Sequence, residues 1–220
     1  ADGFHLPEGS EAERVLAALK AVTPGAAAGD WHRTYSAYSA RVEAAVALLT
    51  QAADGSNLTL DPDLDSYYLM ESVTATLPAV IESTAKLNDM ARAVARGLPV
   101  SETIANEMTR AEALGDHGDA RWAAAMPKVY SLRPEFKAEL RDEPVRHQLH
   151  AFHELATSLG ADDGKLAAAA VVLDGLREVQ LKSLDKLDLL LEARRDAMQT
   201  QRAWVSVVVV LSLLTAVYLF

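Results

Sequence analysis

The chain ends in WVSVVVVLSLLTAVYLF, Trp204 to Phe220, seventeen residues without a charge, a proline or a glycine. As a helix this segment is apolar on every side, so it keeps no face for water and lipid is the solvent that suits it. At 1.5 Å per residue it reaches about 26 Å, the short end of what crosses a hydrocarbon core. Trp204 and Tyr218 sit near its two ends, where amphipathic rings favour the headgroup zone, and are assigned to the membrane interface. A buried core helix has the same composition, whereas a buried strand rarely exceeds about ten residues. The chain therefore divides into a folded domain, residues 1–203, and a transmembrane helix, residues 204–220.

Roughly 200 residues precede the span, enough to bury a core of their own. Apolar residues make up 50% of the chain and aromatics only 6%, with β-branched types gathered in the span. That balance favours helices packed on helices. A net charge of −10 argues against a nucleic-acid partner, since phosphate binding needs concentrated Lys and Arg. There is no cysteine, hence no disulfide and no thiolate metal site. The start at Ala1, without Met or a charged and apolar leader, reads as a processed or excised segment, and the apolar end at Phe220 as a second excision.

Ser10-Glu11-Ala12-Glu13 is a capping box for a short helix that stops at Thr23-Pro24-Gly25. Asp30 caps a second helix, in which Trp31, Tyr35, Tyr38, Val42, Val46 and Leu49 recur at spacings of three and four until Asp54-Gly55. A third starts with Asp61 as cap and Pro62 as first helical residue, and carries an apolar stripe to Arg96-Gly97 with a bend at Pro78. Ser101 opens a fourth, with a break expected at Gly115 to Gly118 and an end at Met126-Pro127. A fifth runs from Pro134 to Leu159, kinked at Pro144. After the turn at Asp162-Asp163-Gly164 only Gly175 interrupts the way to the span. Leu166, Leu173, Leu176, Leu184, Leu187, Leu191 and Met198 follow at near coiled-coil spacing. Between Lys165 and Ala203 this helix rises about 60 Å, so the others must pack along it. The expected fold is all-α: an elongated antiparallel helical bundle, with bends that leave room for two stacked modules, running into the C-terminal transmembrane helix.

Several residues are candidates for a site, each beside a plainer role. His147, His150 and His153 stand three apart and share a helical face in adjacent pairs, which makes them candidate metal ligands; solvation or pairing with carboxylates is the plainer role. None has Glu three residues before it, as a carboxylate-bridged di-iron bundle requires. Asp61, Asp63 and Asp65 suggest cation binding, but they lack the Gly and distal Glu of a calcium loop and suit a helix start. Tyr67 and Tyr68 point in different directions, so that one packs in the core while the other is available to a ligand or partner. Arg41, Arg92, Arg96 and Arg110 offer planar forks for an anion lodged between helices. Arg194, Arg195 and Arg202 flank the span without fixing its orientation. There is no nucleophile motif, phosphate loop or zinc-protease motif, so the chain is read as no enzyme and no cofactor is expected.

SNLTLDPDLDSYYLM, Ser56 to Met70, followed by Leu77-Pro78, resembles a motif of extracytoplasmic helical sensor domains in proteobacterial transmembrane receptors. These include methyl-accepting chemotaxis proteins, sensor histidine kinases and diguanylate cyclases. The likeness extends loosely through LLLEARRDAMQTQR, Leu189 to Arg202, into the span. Such domains resemble the helical nitrate/nitrite-sensing type. Glu71 stands where the family has an acidic residue after Leu-Met, while the family's first span and Arg-containing helix would lie before Ala1. The resemblance implies a bacterial inner-membrane receptor with residues 1–203 in the periplasm, sensing a small molecule such as a small anion and dimerising along the Leu184 to Met198 face. Asp65, Tyr67, Tyr68 and Arg41 are the expected ligand-region residues. The alternatives are a kinase or cyclase sensor, a tail-anchored scaffold, or a metal-dependent bundle enzyme built on the three histidines.

Overall fold

The computed structural model describes Glu13 and residues 31–55, 63–158 and 162–219. The capping box at Ser10, the turn at Thr23, the Asp30 cap and the Asp61-Pro62 helix start lie outside the described residues. Within them every regular element is helical: α1 (Trp31–Gly55), α2 (Leu64–Glu71), a π-turn (Ser72–Thr76), α3 (Leu77–Ala95), α4 (Glu102–Leu132), α5 (Pro134–Leu140), α6 (Asp142–Thr157), α7 (Asp163–Leu166) and α8 (Ala169–Leu219).

Cross-links along the helices give their directions. Asp65 meets Arg133 and Glu71 meets Arg121, so α2 and α3 run antiparallel to α4. Tyr130 donates to Asp142 at one end and Arg146 reaches Asp119 further on, so α6 runs back along α4. Arg92 meets Asp163, Gln180 meets Val73 and Arg194 meets Asp63, which sets α8 antiparallel to α2 and α3. α1 lies outside this four-stranded arrangement, beside the π-turn and α3. One core runs through all the layers, including Leu69, Val73, Leu87, Trp122, Met126, Leu149, Phe152, Leu176 and Leu187. The described helices thus form a single bundle rather than two stacked modules. Each such side chain contributes about 1.5–3 kcal/mol on burial.

Glycine and proline behave differently from their propensities. α4 passes unbroken through Gly115, Gly118 and Pro127. A Cβ on Gly118 would stand 2.6 Å from Val80 Cγ2, and one on Gly115 would stand 2.7 Å from His153 Cε1. These glycines let neighbouring helices approach; they do not end one. Pro127 is exposed and removes one internal hydrogen bond without stopping the helix. The expected kink at Pro144 is displaced to Arg141, which takes a left-handed conformation (φ 51°) and divides the expected fifth helix into α5 and α6. Pro144 then occupies the first turn of α6, where a missing N–H is harmless. α3 ends as expected at Arg96-Gly97: Gly97 has φ 100°, and the amides of Gly97 and Leu98 bond back to Val94 and Ala93.

Pro78 disturbs its helix through the π-turn that precedes it. The Leu77 amide bonds to the Ser72 carbonyl, five residues back. The next amide in that pattern belongs to residue 78, and proline has none, so the Val73 carbonyl would be left without a partner. Gln180 Nε2 of α8 donates to it at 3.1 Å. A side chain of the last helix therefore completes the backbone of the π-turn.

α8 has 51 residues and is about 77 Å long. Together with α7 it is the one described helix long and apolar enough to cross a membrane. Its inward residues are Ala169, Val172, Leu176, Val179, Ser183, Leu187 and Leu190, a face that excludes Leu184 and Met198, both exposed. The expected Leu184 to Met198 stripe is therefore split between the core and the outside. Among the described residues the core ends at Leu190 and the half-buried Leu191, and the furthest ion pair from α8 to the bundle is Arg194 to Asp63 at 3.6 Å. From Trp204, 67% exposed, to Tyr218, 88% exposed, the described side chains meet no other element. Ser206, Ser212 and Thr215 each donate to the carbonyl four residues earlier, so the hydroxyls of the apolar stretch are satisfied within the helix.

Candidate functional site

Among the described residues α1 meets the bundle through Ala53, in the core, and through Glu43, on Lys86 at 3.2 Å. Between the two helices stand the small residues Ala45 on α1 and Ala85 and Ala93 on α3. A groove of about 910 Å³ lies there, with α8 contributing Arg177 and Gln180 to its wall. It follows α3 from Pro78 to Arg96, about 27 Å. Val42, Val46, Leu49 and Ile81 make its sides apolar. Its volume and its mix of apolar walls with a few charges are those of a small-molecule site.

The cations of the groove are all engaged. Lys86 lies 2.6 Å from Glu82 as well as 3.2 Å from Glu43. Burial works to lower its pKa, but the hydrogen bonds and charges of Glu82 and Glu43 outweigh that and raise it. Arg92 Nε meets Asp163 Oδ1 at 2.6 Å, and Arg96 Nη2 meets Asp163 Oδ2 at 3.0 Å. Held by two guanidinia, the Asp163 carboxyl is pulled down to about 2. Burial pushes Asp89 up, with Arg92 acting against it. Arg177 stands 3.4 Å from Asp174.

Asp65, Tyr67 and Tyr68 lie on α2, away from the groove, where Asp65 and Tyr68 link to Arg133 and Lys128. Asp65 accepts from Arg133 Nε at 2.8 Å and from the Ser66 amide at 2.9 Å. Tyr68 accepts from Lys128 Nζ at 3.0 Å, and the two tyrosine rings meet edge-on at 5.3 Å. Asp63 and Asp65 of the motif, and Glu71 just after it, thus each face an arginine. Arg41 is half-buried on α1, and neither it nor these three lines the groove. Arg110 is exposed on α4. Of the arginines considered for an anion, Arg92 and Arg96 are those the groove brings together.

The histidines separate. His150 Nε2 lies 2.8 Å from Asp119, buried His153 lies 3.5 Å from Asp116 and 3.4 Å from Thr84, and His147 is exposed. Among the described residues no three His, Asp or Glu side chains gather as a metal site. Asp119 also takes a two-point contact from Arg146, at 2.7 and 2.9 Å. Burial pushes its carboxyl up, but the hydrogen bonds from Arg146 and His150 outweigh burial and hold it low. The sequence reading expected solvation or a carboxylate partner for these histidines but named neither Asp119 nor Arg146, although Arg146 and His150, four apart, share a helix face. It also missed Arg177, Gln180 and Lys86, and read Asp163 only as a turn residue.

Comparison of the chain with protein-family models, with curated proteins and with solved structures finds no match.

Proposed function

We propose that the chain is the ligand-sensing region of a bacterial transmembrane signalling receptor of the methyl-accepting chemotaxis type. In this reading residues 1–203 lie in the periplasm and the span in the inner membrane, the receptor is a parallel homodimer, and the domain binds a ligand and catalyses nothing. The observation that carries it is that the groove and the apolar end share a helix: Arg177 and Gln180 line the groove from α8, and α8 continues without a break to Leu219. A ligand that prefers one packing of α1, α3 and α8 would shift the population of packings and move the last helix with it. The resemblance of Ser56 to Met70 to receptor sensor domains supports the same reading, and a kinase or cyclase output would use the same device.

The test is a distance measurement on the full chain in lipid nanodiscs, with spin labels at Ala47 on α1 and Leu181 on α8, both exposed. A panel of inorganic and small organic anions should contain at least one that both shifts the distance distribution and raises the melting temperature. A panel that moves neither would leave the tail-anchored scaffold as the better account.

A further inference from the structure

We propose that the groove takes a monocarboxylate with an apolar body, whose carboxylate binds by exchange, replacing Asp163 on Arg92 and Arg96. This rests on the groove being the sensing site, and it names the ligand class.

Space, charge and geometry carry it. A groove of about 910 Å³ far exceeds an inorganic oxyanion, and Val42, Val46 and Ile81 supply walls suited to a hydrocarbon body. An anion that simply added itself would find no unmatched cation, because Lys86 is held by Glu82 and Glu43, and Arg177 by Asp174. Exchanging one carboxylate for another keeps the two guanidinia matched, while Asp163 passes to water. Arg92 and Arg96 line the groove and already bind a carboxylate in two-point fashion, one oxygen each, at 2.6 and 3.0 Å. Asp163 comes from outside the groove, on the short α7, and its side chain is 39% exposed. Once displaced it can be taken up by water, which lowers the cost of the exchange.

The experiment measures binding of hexanoate, hexanamide and nitrate to the full chain in nanodiscs by calorimetry, with helicity of each variant checked by circular dichroism. Hexanoate should bind at least about tenfold tighter than hexanamide, the neutral isostere. Asp163→Asn removes the competitor's charge and should tighten hexanoate about tenfold, whereas Arg92→Ala with Arg96→Ala should weaken it by at least about tenfold. Equal affinity for acid and amide, or an Asp163→Asn affinity unchanged or lower, overturns the exchange. Nitrate binding without hexanoate binding overturns the ligand class, while a nitrate-induced change in the α1 to α8 distance would still support sensing at the groove.

Discussion

A methyl group at Gly118 has nowhere to go. Val80 is fully buried and β-branched, so it cannot swing aside as a long side chain would. Gly118→Ala should therefore destabilise the bundle by about 1–3 kcal/mol, overriding the roughly 1 kcal/mol by which Ala favours a helix over Gly. Urea unfolding would measure it, and a stabilised variant would refute the close approach. Asp163 makes a second prediction at this scale. Its folded pKa of about 2 lies below its ordinary 3.8, so its pairing with Arg92 and Arg96 contributes fully above about pH 4 and is lost as pH falls through 2. The side-chain carboxyl carbon resonance should titrate near 2, and in Arg92→Ala with Arg96→Ala it should return toward 3.8. Neither residue revealed its role in the sequence. Glycine reads as a breaker because propensity reports the backbone alone, and Gly118 is explained by Val80, 38 positions away. Asp163 reads as a turn residue in the sequence but opens α7, and its arginines belong to a helix distant in the chain.

The elements were more legible where their signals are local. The apolar periodicity of α3 and α8, the Ser101 cap, whose hydroxyl accepts from the Ile104 amide at 3.3 Å, and the Gly97 stop all act within a few residues. The π-turn was not legible, since Pro78 announces a disturbance but the form it takes depends on Gln180, over a hundred residues on. A double-mutant cycle tests that dependence. Gln180→Leu should cost about 1–3 kcal/mol by leaving the Val73 carbonyl buried and unpaired. Restoring an amide with Pro78→Ala should cancel most of that loss; additive effects would mean that the glutamine does not serve the proline's missing donor. The groove escaped sequence reading for a related reason. Ala45, Ala85 and Ala93 read as good helix formers, and only the fold brings them to one groove.

For the whole molecule, the all-α bundle and the apolar terminal helix follow from composition and periodicity, while the arrangement of helices around α8 does not. The membrane reading has a direct test. Leu211→Arg places a charge near the middle of the span at a cost of about 2.5–3.5 kcal/mol, so the variant should be extracted by alkali where the parent chain stays with the membrane. Retention of both would refute insertion by residues 204–220.

The bundle releases α8 at Arg194, yet the apolar stretch begins only at Trp204. Nine residues of single helix between them, 195–203, amount to a stalk of about 14 Å. On the proposed membrane reading that stalk is an electrostatic spacer. The screening length in physiological salt is about 8 Å, so an acidic body carried on it stands beyond the reach of anionic headgroups, and four residues fewer would bring it within range. The height of the stalk would then decide whether repulsion by the bilayer disturbs the packing that the groove depends on.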